Sequence, residues 1–423
     1  MEVKHGVRVR VASLYNEEPG TPALPRKLQR HRLVRRRRIL TSLATVAILC
    51  IGVSLGLWAW PRHDRSLQRA ATEAAAQREK SVAVLPFEHV SVGEDNEVFA
   101  GGVHREVLLN LAKLADPTVI SRTSVMRYKP GTERNLRQIS EQLGVYYIVE
   151  GSVQREASHI HVTVELINAR TDAHAWAETY DGNLADVLTF QSEIAQRITN
   201  QLGAKLSPRE STELATRPTQ DIAAFEAYIR ARALMETTDD GSDKFREDFT
   251  RAVQLLEQAV ARDPKFAGAY WALSEANILL YGTGEPPNTD YRTRAEAALE
   301  QAQRIAPEAG ETLHAQARII YYGYLDFTRA LATLEGAARS LPNSAEVTMT
   351  RGLLYRRFGR WQEAFAQFKR ATELNPQDPF GYMSAGMAAI SLRWWDDAAT
   401  MRARLTKQFP RLTQGAQIDE AVT

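Results

Sequence analysis

Two histidines spaced one residue apart, His159 and His161, are the residues of this chain best suited to metal chemistry. Positions i and i+2 of a strand face the same side, so two imidazoles there could grip one cation if a third ligand joined them. The flanking residues REASH read as an exposed hairpin turn, so both histidines are expected to face solvent and no metal site is expected. His174, Trp176, Glu178 and Tyr180 alternate along the next strand and are read as covering the exposed side of a sheet through ordinary hydrogen bonds. His104 falls on a helix where a second ligand would be wanted one turn on, and Val107 and Leu108 stand there instead. It reads as a surface or interface histidine. Ser152, inside a strand with no histidine patterned to activate it, reads as a sheet residue.

No phosphate-cradling loop, nucleophile elbow or H-E-x-x-H helix occurs. The single cysteine, Cys50, excludes a disulfide, a cysteine-based zinc site and an iron–sulfur cluster within one chain. No catalytic, cofactor-binding or metal-ligating residue is assigned, no cofactor is expected, and the chain is read as a protein other than an enzyme. With 423 residues, 44% hydrophobic and 25% charged, it is long and apolar enough for two or three folded domains.

The elements that carry these residues fall into two blocks. In the first, over 81–205, SVAVLPF (81–87), TVISR (118–122), YYIVEGSVQRE (146–156), HIHVTVELINAR (159–170) and AHAWAETYDG (173–182) read as strands. Helical stretches at 97–114, 135–144 and from Ala185 onward intervene and close the block. Ile160, Val162, Val164 and Leu166 alternate with His159, His161, Thr163 and Glu165, the pattern of a sheet buried on one side. A mixed α/β layer is expected.

The second block, 219–412, repeats itself. Ala364, Phe368, Ala371 and Pro376 recur as Ala330, Leu334, Ala337 and Pro342, as Ala295, Leu299, Ala302 and Pro307, and as Ala252, Leu256, Ala259 and Pro264. A weaker copy is Ala398, Arg402, Leu405 and Pro410; the prolines stand 43, 35, 34 and 34 residues apart. Alanines seven apart keep one helix face low for a neighbour, and proline ends the helix that precedes it. The Gly/Pro-rich stretch YGTGEPPNTD (281–290) accounts for the longest step, and DIAAFEAYIRARALM (221–235) opens the array. This pattern resembles the tetratricopeptide repeat, an all-α helical solenoid. The resemblance implies a concave groove lined by Trp271, Glu275, His314, Arg318 and Tyr321, continued by Met349, Arg356, Phe380, Met383 and Met387, that takes proteins or peptide segments.

In the first block AVLPF (83–87), VFAGGV (98–103), VISRTSV (119–125), LGVYYIVEGSV (143–153) and WAETYDG (176–182) follow one another in an order similar to the TolB-like amino-terminal domain found ahead of tetratricopeptide arrays in bacterial regulators. Where that family opens its helix with FADG, this chain has FAGG. The combined resemblance implies a membrane-anchored regulator or scaffold. Such chains often carry a DNA-binding domain or a cyclase before the membrane segment, and 38 residues are too few for either.

The first 60 residues support an anchor. Residues 1–38 hold 11 Lys/Arg against three Glu, and RRRR (35–38) precedes 22 uncharged residues, 39–60, that end in Trp58 and Trp60. That length suffices for a transmembrane helix across about 30 Å of hydrocarbon. The basic arm 1–38 is therefore expected in the cytoplasm, with 61–423 outside the inner membrane. A helical stalk is expected over 61–80 and a short tail over 413–423. The arm's charge is assigned to anionic lipid and topology, and no nucleic-acid role is expected. The function expected is a membrane-anchored interaction scaffold or sensor arm. The rival is a transmembrane signalling or transcriptional regulator without its DNA-binding output domain.

Overall fold

The computed structural model describes residues 2–3, 7–8, 79–90, 94–131, 134–236, 243–283, 289–410 and 412. Apart from two short strands and residues 79–80, the expected arm, membrane segment and stalk lie outside the described residues, as does the tail 413–423. Among the described residues no helix is long and apolar enough to cross a membrane. The chain divides into Met1–Glu73 and Ala74–Thr423. In the first unit β1 (Glu2–Val3) pairs antiparallel with β2 (Val7–Arg8).

The second unit begins with a five-stranded mixed sheet. β3 (Val82–Val84) and β4 (Glu88–His89) run parallel to β5 (Tyr147–Glu156). β5, β6 (His159–Asn168) and β7 (Ala173–Asn183) form an antiparallel meander that leaves β7 at the edge. Ile160, Val162, Val164 and Leu166 are fully buried, as their alternation requires, in the core shared with helices α1 (Glu94–Ala112) and α4 (Val187–Gln201). Residues 118–122, read as a strand, contribute only a bridge between Val82 and Val119. A nearby amide, Ser121 N, donates 2.8 Å to Leu374 O in the helical block, which draws the chain off the sheet into α2 (Arg122–Val125). α3 (Leu136–Leu143) precedes β5, and α5 (Pro208–Ala215) leads out of the sheet.

Five helix pairs follow. They are α6 (Ile222–Leu234) with α7 (Asp243–Arg262), and α8 (Ala267–Thr283) with α9 (Thr289–Ile305). Then come α10 (Gly310–Arg318), continued by a π-helical turn Ile319–Tyr324, with α11 (Phe327–Ser340), and α12 (Ala345–Arg357) with α13 (Trp361–Leu374). The last are α14 (Pro379–Ser391) and α15 (Trp395–Gln408). The repeating alanines of the first four copies are buried to 2% exposure or less. Gly352 shows why small residues recur: a Cβ there would lie 2.5 Å from the Phe368 ring.

The sheet and the first helix pairs share one core, which runs without a break from Val82 to Ala298. α1 is the joint. Its Phe99, Val103, Val107 and Leu111 belong to that core, while Gly102 lets Ile229 of α6 come so close that a Cβ would sit 2.7 Å from it. The loops that precede the first helix of each later pair are tied to the same side. Asn343 Nδ2 donates to Leu114 O and Pro117 O, both at 2.7 Å, and Ser124 Oγ donates 2.5 Å to Asn375 Oδ1. Lys113 pairs with Glu311 at 3.3 Å.

Asn343 is 4% exposed, so replacing it leaves two carbonyls without partners in a dry place. Asn343→Leu is expected to cost about 1–3 kcal/mol per orphaned group. Urea unfolding followed by far-UV circular dichroism should show one lowered midpoint for sheet and helices together. Two separate transitions would mean that the joint does not couple them.

Candidate protein-binding surface

The first helix of each pair carries the residues that the sequence placed along a groove, and the structure divides them into two sets. Trp271, Glu275, His314 and Arg318 lie where α6, α8 and α10 meet. Glu275 accepts from Arg232 Nη1 at 2.7 Å and from Arg318 Nη1 at 2.6 Å. Arg232 also lies 4.9 Å over the Trp271 ring, which meets Tyr228 edge-on. Glu275 and His314 are 8% and 9% exposed, so they offer a partner almost no surface. Burial alone would raise the Glu275 carboxyl, but Arg232 and Arg318 outweigh it and hold the pKa at about 2. Burial, reinforced by Arg318, lowers His314 and keeps it neutral.

The sheet block closes this end further. Arg105 of α1 and Arg122 of α2 both reach Glu236, just past α6, the latter at 2.7 Å. Burial, then the charge of Arg232, brings Arg122 down to about 10. His104 is fully buried here, which corrects the surface reading. Its Nε2 donates to Val84 O at 2.8 Å, and Nδ1 accepts from Arg122 Nη1 at 3.0 Å. Burial, followed by Arg122, depresses its pKa well below the usual range, so it stays neutral. Arg105, Arg122, Arg232 and Glu236 escaped sequence reasoning. One signal was available, because Arg232, Glu275 and Arg318 alternate in charge at intervals of 43 residues.

Tyr321 and Met349 are half-buried. Tyr321 packs on Phe327 at 5.4 Å, and Met349 packs into the α12–α14 core. Beyond them the face is open. Phe380, Met383 and Met387 of α14 are 46–55% exposed, and so is Ile390, which was not among the residues expected to line the groove. Arg356 of α12 reaches Met387 Sδ at 4.0 Å.

On the sheet, His159 Nε2 and His161 Nδ1 both meet one oxygen of Asp181, at 2.8 and 3.3 Å, on the exposed face. These two hydrogen bonds lower the Asp181 carboxyl. Among the described residues no group of three or more His, Cys, Asp or Glu is arranged to hold a metal ion. Trp176, Glu178 and Tyr180 pair with Leu166, Val164 and Val162, so they lie on the helix-covered face and not the exposed one. A bulge between Leu166 and Ile167 separates His174 from them and leaves it 3.0 Å from Glu165. A polar cleft of 380 Å³ beside β7 is lined by Glu178, Glu193, Gln196, Arg197 and Asn200.

The tetratricopeptide-repeat family profile matches residues 245–280 and 319–379, so the helical block carries tetratricopeptide repeats. Among solved structures, a thermophilic tetratricopeptide protein from Thermus thermophilus, TTC0263, is 23% identical. The match covers 48% of this chain and 92% of that one, with a TM-score of 0.33. YrrB, titled a tetratricopeptide protein with an unusual peptide-binding site, is 19% identical over 44% of this chain and 94% of its own, with a TM-score of 0.30. A curated relative from Rhizobium meliloti (strain 1021), named "Putative adenylate cyclase 3", is 32% identical over 223 residues, 52% of this chain. The chain spans 37% of that relative's length. The expectation that the chain is a protein other than an enzyme is contradicted by this relative's name.

The Glu275 cluster sets a pH dependence. Its folded pKa of about 2 lies below the unfolded value of about 4.3, so it favours the folded state above about pH 4.3. That contribution is lost as pH falls toward 2 and amounts to about 3 kcal/mol. Glu275→Gln should therefore be less stable than the parent at pH 7 by about that amount or more, since Arg232 and Arg318 then lose their counter-charge. Urea midpoints at pH 7 and pH 3 should show the gap narrowing in acid. A gap that stays constant would contradict the assignment.

Proposed function

We propose that this chain is a protein-docking scaffold of a membrane-anchored signalling system, with a TolB-like domain that seals one end of its repeat groove and leaves the other for a partner. One observation carries the reading: Phe380, Met383, Met387 and Ile390 form an exposed apolar row on a rigid helix, in a fold whose remaining large side chains are mostly covered. In this reading residues 39–60 cross the inner membrane, with the amino terminus cytoplasmic and 61–423 outside. A photo-crosslinking residue placed at Phe380 should give protein adducts in cells, whereas one at Ala399 on α15 should not. No adduct at Phe380 would remove the docking role. A periplasm-dependent reporter fused after residue 80 should be active and one fused after residue 30 inactive; the reverse pattern inverts the topology.

The cyclase name of the relative favours a second reading, in which this chain acts in cyclic-nucleotide signalling. The chemistry would be attack of the ATP 3′-oxygen on the α-phosphorus with loss of pyrophosphate. Purified full-length chain given ATP with Mg²⁺ or Mn²⁺ should then form cyclic AMP and pyrophosphate in equal amounts. No product at the detection limit would remove that activity from this chain.

A further inference from the structure

We propose that the open end of the groove receives an amphipathic helix of a partner protein, one whose apolar face is bordered by carboxylates at a single end. This rests on the docking role above and specifies its partner.

The row Phe380, Met383, Met387 and Ile390 has spacings of three and four, so it forms one stripe along α14 about 15 Å long. All four side chains are roughly half exposed. A stripe this narrow suits the i, i+3, i+7 face of a single helix, and methionines adapt to its side chains without a preformed pocket. Polarity fixes the direction. At the Met387 end Arg356 contacts Met387 Sδ at 4.0 Å and forms no ion pair among the described residues. Arg357 stacks 5.1 Å over Phe327, and Arg393 follows at the end of α14. The carboxylates of these two helices stand at the opposite end. Asp378 caps α14 by accepting from Phe380 N at 2.9 Å, and Glu346 lies in the first turn of α12. A bound helix therefore gains by placing acidic residues against Arg356 and loses by placing basic ones there.

The test uses full-length protein and three fluorescent designed helical peptides. One carries an apolar stripe with Glu at one end, one the same stripe with Lys there, and one has no stripe. Anisotropy should show the Glu peptide binding at least tenfold more tightly than the Lys peptide, and the third not at all. Met387→Glu should abolish binding while circular dichroism stays unchanged, because residue 387 is exposed. Arg356→Glu should reverse the preference between the Glu and Lys peptides, an outcome that misfolding would not produce. Equal affinity for both peptides, or no reversal, overturns the proposal. A dimer in sedimentation equilibrium that Met387→Glu dissociates overturns it in favour of self-association. Deletion of residues 413–423 that tightens peptide binding more than tenfold overturns it in favour of the chain's own terminus. Adducts at Phe380 in cells together with failure of both peptides would leave docking in place and remove only the helical, acidic partner.

Discussion

A helix hairpin cannot bury its apolar face alone, and each end of a stack of hairpins leaves one face uncovered. The rest of this structure depends on how those ends are met. At the amino-terminal end the solution is α1, which belongs to the sheet's core and to the first repeats at once. Gly102 permits the contact with Ile229, and the core passes through it from strand to solenoid. The α/β block therefore serves as the array's terminal cap and is not a separate bead on a linker.

Charge follows from the same contact. Bringing α1 and α2 onto α6 places Arg105 and Arg122 beside Glu236, and stacking α6, α8 and α10 places Arg232, Glu275 and Arg318 in a row. Desolvation offsets part of the attraction in buried ion pairs of this kind. Removing one partner is costly, however, so the network penalises any arrangement in which the blocks separate or slip. Neutral His104, held between Val84 O and Arg122, adds the same constraint. The opposite end has no such cover on α14 among the described residues, and its apolar row stays exposed.

The repeats were legible because their signal is local. Alanine at intervals of seven and proline at intervals near 34 state a helix face and a helix end without reference to anything distant. Every alanine of the first four copies is buried as that pattern implies. The alternation in HIHVTVELINAR was equally clear, and it placed Val162 and Val164 in the core. Residues 118–122 misled because β-branched residues read as strand, while a hydrogen bond to Leu374, more than 250 positions away, decides their fate. The face of Trp176 and Tyr180 was misjudged because strand pairing, absent from the sequence, sets which side each residue takes.

The groove shows the same division. Sequence by itself determined that stacked helix pairs exist and nominated positions on their first helices, since register within a repeat depends only on spacing. Tertiary structure alone decided which of those positions are free: Glu275 and His314 are enclosed, while Phe380, Met383 and Met387 are open. The reason is that enclosure arises where α6, α8 and α10 bring Arg232 and Arg318 onto Glu275, and where α1 and α2 reach Glu236 just past α6, across long stretches of chain. No periodicity within one repeat records that meeting.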